Sequence, residues 1–523
     1  MLWLGVLSAS LGGYASGQSQ EGIDAEAVNN APTQYPLLYL EHCAVCHGER
    51  FEGAAQGTPL IGELNYGDTQ ADIERNIVDG FVERGMPAWS NTLSEDQIRN
   101  LALYVTETRA GLNYADFKYN AAFEVPTQVL VSERHRFRLE TIIDDLDPAP
   151  FSITPMPDGR LLLTEKKLGL SIVSMDGTRS DLIRGTPQAY DDTFILSENQ
   201  EWGYGWMMDV ALHPDYAENQ WVYLHFTDRC SACNEASRSA EQPVSMNKVV
   251  RGRIRDGAWV DEETIWAADK AYYGVMPDVA AGGRLAFDEE GHLFISVGTK
   301  GSNNYHGIQD LSTPWGKIHR VFENGEIPLD NPFIETEGAY KSTWTYGHRS
   351  PQGLEFRRQT GELWSTEMGP RGGDEVNRLL PGRNYGWPLY SKGMNYDGTS
   401  VAYGQQLGIE FDLKDIEQPV VDLTPSPAVS SFVFYEGEAF PAWQGQILVG
   451  SLKGRSLFRM VLEDNQLTHQ ETLLSDLARI RDIEVGTQGE IYLLLENNSG
   501  GQVVRIVPGT PNVLQIRIEA AEL

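Results

Sequence analysis

Two cysteines and a histidine stand close together near the N-terminus, in the run Cys43-Ala44-Val45-Cys46-His47. Proteins attach a c-type haem through this pattern, because the two thiols bond to one porphyrin and the adjacent imidazole reaches its iron. A redox dithiol or half of a zinc site would also use two cysteines at this spacing, but neither needs a histidine directly after the second one. The pattern therefore predicts haem c at Cys43 and Cys46, with His47 as an axial ligand of the iron.

A second axial ligand is offered by Met86, which lies in a Gly-Met-Pro loop downstream of His47. A thioether ligand raises the potential of a haem that only carries electrons. Ser94 is a candidate N-cap for a following helix, whose apolar residues recur at helical spacing. These residues are Ile98, Leu101, Ala102 and Val105. In these features residues 35–112 resemble a small class I cytochrome c domain.

The overall charge excludes some classes of function. The chain has 523 residues and a formal net charge of −33. Its length accommodates one small and one large unit. A strongly acidic chain repels phosphates, so nucleic-acid binding is not expected and an anionic membrane surface is disfavoured. No stretch approaches roughly 18 uninterrupted apolar residues, so the sequence predicts no membrane span.

Residues 1–17 begin with a short apolar run that gives way to small residues, as in a secretory signal peptide. Export also suits haem attachment through thioethers, so we expect a bacterial protein that is periplasmic or secreted. An oxidising compartment favours a local disulfide between Cys230 and Cys233. Asn234 follows this pair where a haem motif would need histidine. A catalytic dithiol or a zinc site is the alternative for the two cysteines.

A short apolar strand preceded by turn residues recurs six times after a predicted linker at residues 113–134. The six strands begin near Gly159, Gln220, Gly291, Gly361, Gly445 and Gly489. Each reads as the second strand of a hairpin. Residues 135–510 are therefore predicted to form an all-β six-bladed propeller, preceded by the small all-α cytochrome domain. A pair of β-sandwiches or a solenoid is the alternative. The long loops of a propeller gather at one end of its channel, where a ligand would bind.

Several loops of the repeated region carry motifs of chemical interest. They are Gly282-Gly283-Arg284-Leu285, Gly347-His348-Arg349-Ser350-Pro351, Glu367-Met368-Gly369-Pro370-Arg371-Gly372-Gly373-Asp374-Glu375, Asn384-Tyr385-Gly386-Trp387-Pro388, Ser451-Leu452-Lys453-Gly454 and Arg479-Ile480-Arg481-Asp482. In this order they resemble the soluble sugar dehydrogenases that use pyrroloquinoline quinone (PQQ), the glucose/sorbosone dehydrogenase family. The resemblance covers roughly residues 135–510 and implies a PQQ-dependent aldose dehydrogenase, without specifying the sugar.

PQQ carries several carboxylates, so a chain as acidic as this one must offer it a local cluster of cations. Lys453, Arg479 and Arg481 are the candidates, and the two arginines share one face if their segment is extended. Taken singly, each of these charges could be an ordinary surface residue. The resemblance further implies that Arg349 lies beside the quinone and stabilises negative charge on the reduced cofactor.

Asp374 and Glu375 are adjacent acids in a glycine-rich loop, and Tyr385 follows in the next motif. Oxygen ligands on such a loop suit Ca²⁺, although Asp-Glu pairs are also common on surfaces. The resemblance implies that this region binds calcium ions that order the site, partly through backbone oxygens.

One position departs from the family pattern in a way that affects catalysis. The family's general base is a histidine four residues before the arginine of Gly-Gly-Arg-Leu, and that position here is Ala280. In the family this base would remove the proton of the sugar's anomeric hydroxyl. A general base accelerates a step of this kind by about 10²–10⁴, and alanine cannot act as one. Asp278 and His306 are the nearest replacement candidates in the sequence. A substrate other than an aldose, or a propeller without turnover, would also explain the change. Further departures are Ser350, Met368 and the run Gly298-Thr299-Lys300-Gly301.

The sequence therefore predicts a periplasmic quinohaemoprotein dehydrogenase. A small-molecule sugar or related alcohol would be oxidised at PQQ, and the electrons would leave through the haem to an external redox acceptor. A tether keeps the haem at a high effective concentration near the quinone. The alternative is a non-catalytic carbohydrate- or protein-binding propeller tethered to an electron-transfer cytochrome, which Ala280 favours. A purely structural propeller would leave the predicted cation cluster unexplained.

Overall fold

The computed structural model describes residues 34–113, 123–195, 201–300 and 305–509. The predicted signal peptide at residues 1–17 lies outside these ranges, and so does the part of the predicted linker from 114 to 122. Within the ranges described, no helix has the length and apolar character needed to cross a membrane.

Helices dominate the N-terminal part, and the later helices are short elements on loops. The α-helices are α1 (Tyr35–His42), α2 (Ala44–His47), α3 (Gln70–Asp79), α4 (Glu95–Asn113), α5 (Tyr216–Asn219), α6 (Glu235–Ala240), α7 (His306–Gln309) and α8 (Gly404–Leu407). Short 3-10 helices include Val82–Arg84, Trp89–Asn91 and Asp278–Ala280.

Helix α4 begins where the sequence predicts it. The Ser94 hydroxyl accepts a hydrogen bond from the Gln97 backbone N–H at 3.2 Å, and the Gln97 side chain accepts one from the Ser94 N–H at 2.9 Å. This reciprocal cap satisfies donors that a helix start leaves without partners. The four apolar residues predicted on one face of α4 are buried in a core with Tyr39, Phe51 and Ile73. The prediction of a small helical N-terminal domain is confirmed.

From residue 130 onward, strands follow one another. They are β1 (Leu130–Val131), β2 (Arg136–Leu146), β3 (Pro150–Pro155), β4 (Leu161–Glu165), β5 (Gly169–Val173), β6 (Phe194–Ile195), β7 (Glu201–Trp202), β8 (Met207–Leu212), β9 (Val222–Cys230), β10 (Val244–Arg255), β11 (Ala258–Ala267), β12 (Gly282–Phe287) and β13 (His292–Val297). The second half contains β14 (Lys317–Phe322), β15 (Thr343–Tyr346), β16 (Pro351–Arg357), β17 (Glu362–Glu367), β18 (Glu375–Leu379), β19 (Val421–Asp422), β20 (Val429–Phe434), β21 (Ile447–Ser451), β22 (Leu457–Glu463), β23 (Gln466–Leu474), β24 (Arg479–Val485), β25 (Ile491–Glu496) and β26 (Gly501–Pro508).

These strands form the blades of a propeller. In the part of the chain that the structure describes, six antiparallel sheets accompany one two-stranded ribbon, β6-β7. The sheets are β3-β4-β5, β8-β9-β10-β11, β12-β13-β14-β15, β16-β17-β18-β19, β20-β21-β22-β23 and β24-β25-β26-β2-β1. The six strands predicted as second strands correspond to β4, β9, β13, β17, β21 and β25, so the six-bladed propeller is confirmed.

The last sheet closes the ring. Strand β26, near the C-terminus, pairs with β2, with Ile506 opposite Leu139. One blade is therefore built from both ends of the propeller segment, and hydrogen bonds between β2 and β26 join those two ends within it. The first strands of the six sheets pack side by side in a ring around the central channel.

The strand pairing determines which loops meet. Pro351 pairs with Glu367, Val429 with Ser451 and Arg479 with Glu496, so each of these first strands begins where the second strand of its sheet ends. Neighbouring first strands begin at the same level along the channel. For example, the hydroxyl of Ser430, near the start of β20, donates to the carbonyl of Ile480, near the start of β24, at 2.6 Å. We call this end of the propeller the mouth. Residues just before a first strand and just after a second strand are gathered there.

The four cysteines differ in their state. Cys230, the last residue of β9, is joined to Cys233 by a disulfide, as predicted. Cys43 and Cys46 are not joined to each other. The thiols of the haem motif therefore remain available for attachment to a porphyrin.

Candidate functional site

Three cations meet on one buried carboxylate at the mouth. Glu496 is 1 % exposed and closes strand β25. Its Oε1 accepts a hydrogen bond from Arg481 Nε at 2.6 Å and pairs with Lys166 Nζ at 3.2 Å. Its Oε2 accepts a hydrogen bond from Arg479 Nε at 2.9 Å. Arg479 and Arg481 thus converge on one group, as their spacing predicts.

Lys166 and Glu496 are members of this group that the sequence analysis missed. Lys166 directly follows β4 and Glu496 is the last residue of β25, so both stand where a second strand ends. A charged residue at the end of a fully buried apolar strand is a signal that could have found them, because a buried charge needs a partner. The group of Lys166, Arg479, Arg481 and Glu496 is called the cation cluster below.

A β-bulge in β24 directs Arg481 into the channel. The pairing of β24 with β25 shifts register between Ile480 and Asp482, which inserts Arg481 as an extra residue. Consecutive residues 481 and 482 then both reach channel partners: Arg481 donates to the Gln352 side chain at 3.1 Å, and Asp482 pairs with Arg284 at 2.7 Å. The bulge therefore gives the mouth one more charged side chain than a regular strand would supply.

The aromatic ring of Phe151 lies close to three of the cations at the mouth. The Phe151 ring centroid lies 4.8 Å from the Arg284 guanidinium, 5.8 Å from Lys166 Nζ and 6.0 Å from the Arg481 guanidinium. The negative face of an aromatic ring attracts cations without neutralising them. The ring therefore contributes to the placement of all three side chains.

The cation cluster carries excess positive charge. Burial alone would raise the pKa of Glu496, but Arg481, Lys166 and Arg479 outweigh it and hold that pKa well below its usual range. Burial, with Arg481 nearby, lowers the pKa of Lys166 to about 8. Within the cluster, three cations therefore face one carboxylate. This chemistry suits a ligand with several negative groups.

Lys453 lies at the same end of the propeller, in the turn after β21. Its positive charge counteracts the effect of burial on the carboxyl of Glu107, which belongs to α4 of the cytochrome domain. The fold thus brings Lys453 to the mouth with Arg479 and Arg481. The lysine that shares their carboxylate is Lys166.

Arg349 precedes β16 and spans two loops of the mouth. Its Nη1 donates to the carbonyls of Met368 and Gly369, both at 3.0 Å, and its guanidinium lies 5.2 Å above the Trp387 ring centroid. These contacts fix the side chain in one orientation. An arginine so held is suited to face a ligand that sits in the channel.

The departures from the family pattern converge in space. A Cβ atom at Gly298 would collide with the carbonyl oxygen of Ala280 and would lie 2.9 Å from that of Arg349. The Thr299 N–H donates to the same Arg349 carbonyl at 3.0 Å. The Met368 N–H donates to the Ser350 carbonyl at 3.2 Å. The departing residues Ala280, Thr299, Ser350 and Met368 therefore lie together in one patch of the mouth.

Asp278, the first replacement candidate for the general base, is buried and fully partnered. Its Oδ1 pairs with Lys300 Nζ at 2.9 Å and accepts from Ser245 Oγ at 2.8 Å. Its Oδ2 accepts from the Gly205 N–H at 2.7 Å and from Thr227 Oγ1 at 2.5 Å. Both oxygens are occupied by donors from the surrounding fold, so the geometry favours a structural role.

His306, the second candidate, is exposed at the start of α7. It directly follows residues 301–304, which the structure does not describe. Its role as a base stays a prediction from the sequence.

The predicted calcium residues occupy different environments. Asp374 accepts the Gly369 N–H at 2.9 Å on Oδ1 and the Val429 N–H at 2.8 Å on Oδ2, so it anchors its own loop. The Tyr385 hydroxyl donates to the Arg378 carbonyl at 2.6 Å. Burial, with Glu367 nearby, raises the pKa of Glu375 to about 8. Burial also raises the pKa of Asp374 to about 6, so a nearby cation would stabilise the charged form of both acids.

The helical domain offers a haem site around Cys43 and Cys46. His47 Nδ1 lies 2.8 Å from the Thr58 carbonyl, so a proton on Nδ1 leaves Nε2 as the ligand atom. Cys43 and Met86 are among the half-buried side chains that pack against the core of the helical domain. A flat porphyrin would complete their burial, so these residues fit a covalently attached haem.

Comparisons with known proteins agree with both parts of the molecule. The family model described as Glucose / Sorbosone dehydrogenase matches residues 147–505. The model described as Cytochrome C oxidase, cbb3-type, subunit III matches residues 30–105.

Two relatives and one solved structure illustrate the similarity. An aldose sugar dehydrogenase of Escherichia coli is 35 % identical over 315 residues, which cover 58 % of this chain and 78 % of that protein. Quinoprotein glucose dehydrogenase B of Acinetobacter calcoaceticus is 24 % identical over 443 residues, covering 72 % and 88 %. The crystal structure of the soluble aldose sugar dehydrogenase from E. coli in its apo-form matches with a TM-score of 0.61 and 31 % identity, over 71 % of this chain and 100 % of that one. The chain therefore belongs to the glucose/sorbosone dehydrogenase family and is an oxidoreductase fused to an N-terminal cytochrome c domain.

Proposed function

We propose that this protein is a periplasmic quinohaemoprotein dehydrogenase that oxidises a sugar or a related alcohol. The observation that carries the proposal is the convergence of Lys166, Arg479 and Arg481 on the single carboxylate of Glu496, at the end of the channel where Arg349 also lies. Three cations grouped around one carboxylate, in a chain of net charge −33, support an anionic ligand at this place.

PQQ fits this donor set. Its carboxylates suit the guanidinium and ammonium groups of the cation cluster and Lys453, which would bind and orient it. When bound, PQQ supplies the chemistry that accepts hydride from the substrate. Arg349 would place a fixed positive charge next to the quinone, where negative charge accumulates on reduction.

The calcium proposal is narrower than the sequence prediction. Burial, together with the nearby acidic groups of Glu367 and Asp422, disfavours the ionised form of Glu375. A Ca²⁺ ion held by Glu375 and by backbone carbonyls of the same loop would remove that repulsion. Asp374 and Tyr385 would then support the loop through the backbone hydrogen bonds described above.

The haem of the cytochrome domain would take the electrons one at a time and pass them to an external redox acceptor. Cys43 and Cys46 would hold it covalently, and His47 and Met86 would ligate its iron.

Reconstitution tests the proposal directly. The full haem-loaded protein is mixed with PQQ and Ca²⁺, and aldoses and related alcohols are screened while the absorbance of reduced haem is followed. We expect PQQ to bind and at least one substrate to reduce the haem. If PQQ binds and no sugar or alcohol reduces the haem, the dehydrogenase proposal fails. If PQQ does not bind at all, the cofactor assignment fails with it.

Ala280 favours a second candidate, a binding propeller without turnover. Here the alanine would reflect a lost catalytic step, and the tethered cytochrome would serve a separate redox chain. Saturable sugar binding by a PQQ-loaded protein whose haem stays oxidised would support this candidate over the first.

Ala280→His is expected to raise kcat/KM for aldoses by about 10²-fold, provided that the bound substrate has an anomeric hydroxyl. The reason is that a histidine there would restore a general base, a contribution of about 10²–10⁴. Steady-state kinetics with PQQ and Ca²⁺ present would measure the gain. Val279→His is the matched control, since residue 279 is 40 % exposed and adds a histidine one position away. An equal gain in both variants, or none for any aldose, would refute the base assignment.

The affinity for PQQ is expected to fall as the pH rises through about 8, where Lys166 loses its proton. Above that pH the cluster binds the anion with one positive charge fewer, so affinity drops by at most about tenfold per pH unit. Arg479 and Arg481 on β24 and Glu496 on β25 are the charged groups around it. Titration calorimetry between about pH 6 and about pH 9 should show that the affinity of Lys166→Met for PQQ does not change with pH. Lys167→Met, which alters the neighbouring pair with Asp147, should keep the native profile.

A further inference from the structure

Helix α4 of the cytochrome domain has two buried faces. Ile98, Leu101, Ala102 and Val105 lie in the core of the helical domain. The opposite side of its second half contacts the propeller through Leu103, Tyr104, Glu107 and Thr108. These positions fall on one side of an α-helix, because residues three and four apart are neighbours there. The helix therefore joins the two domains along a defined face.

A polar contact at the centre of this face is unusually well defined. Glu107 is 2 % exposed, and its Oε1 accepts a hydrogen bond from the Ser426 N–H at 2.7 Å. The charges of Lys453 and Arg371, both from the propeller, act on the same carboxyl. An isolated buried carboxylate would be costly, so these partners argue for a specific contact between the domains.

Arg371, a propeller residue, makes a second set of contacts with α4 of the cytochrome domain. Its Nη2 donates to Thr108 Oγ1 at 2.7 Å, and its guanidinium lies 5.6 Å from the Tyr104 ring centroid. Next to it, Gly372 has a positive φ of 79°, and a Cβ there would lie 3.0 Å from Leu103 Cδ1. A side chain at this glycine would strain the backbone and would press against the end of the Leu103 side chain.

One loop carries both this junction and the candidate quinone site. We call residues 368–374, which follow β17, the bridging loop. Its first carbonyls, of Met368 and Gly369, accept the hydrogen bonds of Arg349. Its centre, at Arg371, contacts α4. Its end is anchored by Asp374, whose N–H donates to Ser426 Oγ at 3.1 Å.

The junction continues into the predicted haem site. Tyr104, under the Arg371 guanidinium, packs against the same core as Cys43 and Met86. A continuous series of contacts thus runs from Arg349 through the bridging loop to Tyr104. Packed atoms and hydrogen bonds of this kind hold a donor and an acceptor at a fixed separation.

We propose that the bridging loop is the docking element that holds the cytochrome domain over the propeller mouth for electron transfer within the chain, with Arg371 and Glu107 as its positioning residues. This inference rests on the proposed function. The covalent linker alone would only keep the cytochrome domain nearby. The contacts of the bridging loop also fix the position of that domain on the propeller.

The test separates electron transfer from substrate oxidation. In full-length, haem- and PQQ-loaded protein, Arg371→Ala should lower the rate at which substrate reduces the haem by about tenfold or more, as expected for loss of a charge-assisted hydrogen bond and a cation–π contact. Turnover with a small artificial dye that accepts electrons at the propeller should stay within about twofold of the native rate. Arg383→Ala, which removes an exposed arginine paired with Glu417, is the control and should change neither rate.

Two further measurements keep the inference falsifiable. Glu107→Gln preserves an oxygen that can accept from Ser426 and should lower haem reduction less than Glu107→Leu does. Hydrogen exchange should show faster exchange of the α4 amides in Arg371→Ala than in the native protein. Unchanged haem reduction in Arg371→Ala, an equal loss of dye-linked and haem-linked rates, or unchanged exchange would each overturn the inference. Because exchange requires no substrate, it reports on docking even if no sugar is oxidised.

Discussion

Replacing both Cys43 and Cys46 with alanine is expected to abolish covalent haem and all substrate-driven reduction of an external acceptor that depends on it. The two thioether bonds have no substitute, since the other cysteines, Cys230 and Cys233, are joined in a disulfide. Dye-linked oxidation of substrate at the propeller should persist, because the cation cluster and Arg349 lie outside the helical domain. Haem staining after denaturing electrophoresis and parallel assays with dye and with a protein acceptor would measure both effects.

The matched control replaces Cys230 and Cys233 with alanine. This variant removes the same number of thiols and should keep its covalent haem. Haem that stays bound to Cys43→Ala/Cys46→Ala through denaturation would contradict the attachment site. Loss of dye-linked activity together with the haem would indicate that the propeller cannot work without its cytochrome.

The double variant Arg479→Ala/Arg481→Ala is expected to weaken PQQ binding by at least about 100-fold. Each arginine offers charge-assisted hydrogen bonds worth about 1.5–3 kcal/mol, and about 1.4 kcal/mol corresponds to tenfold in affinity. The variant also leaves the cluster with one cation, Lys166, for one carboxylate, Glu496, so the remaining pair has no net positive charge to attract the anion. Titration calorimetry of the apo-propeller in the full chain with PQQ would measure the change.

A loss of binding could also arise from unfolding, so stability is measured on the same samples. Arg505→Ala is the control. Arg505 lies on β26, in the same sheet as Arg479 and Arg481, but it pairs with Glu140 of β2 at 2.5 Å. It should bind PQQ with native affinity. Native affinity in the double variant would disprove the assignment of the cluster as the PQQ site, and so would an equal loss in Arg505→Ala.

Local patterns in the sequence were sufficient for the haem motif and for the blades. The haem motif needs only two thiols and an imidazole within five consecutive residues, Cys43 to His47. The second strands are recognisable because each is a short apolar run with turn residues before it. Both signals depend on near neighbours in the chain, which a sequence displays directly.

The replacement candidates for the missing histidine show the opposite case. Asp278 is close to Ala280 in the sequence, which made it a plausible base. Its partners Lys300, Ser245 and Thr227 come from other strands and loops, and they commit both of its oxygens. The protonation and reactivity of a buried carboxylate depend on such distant groups.

The sequence by itself determined that this chain carries a haem-attachment motif, a six-bladed propeller and the motifs of the glucose/sorbosone dehydrogenase family. Only the tertiary structure decided which charges act together: Lys166 and Glu496, which join Arg479 and Arg481, and Glu107, which meets Ser426 at the junction of the domains. The physical reason is that hydrogen bonds and ion pairs depend on distances of a few ångströms between atoms. Closure of the propeller creates such a distance between Lys166 and Glu496, and the contact of α4 with the propeller creates one between Glu107 and Ser426. Both pairs are hundreds of positions apart in the chain.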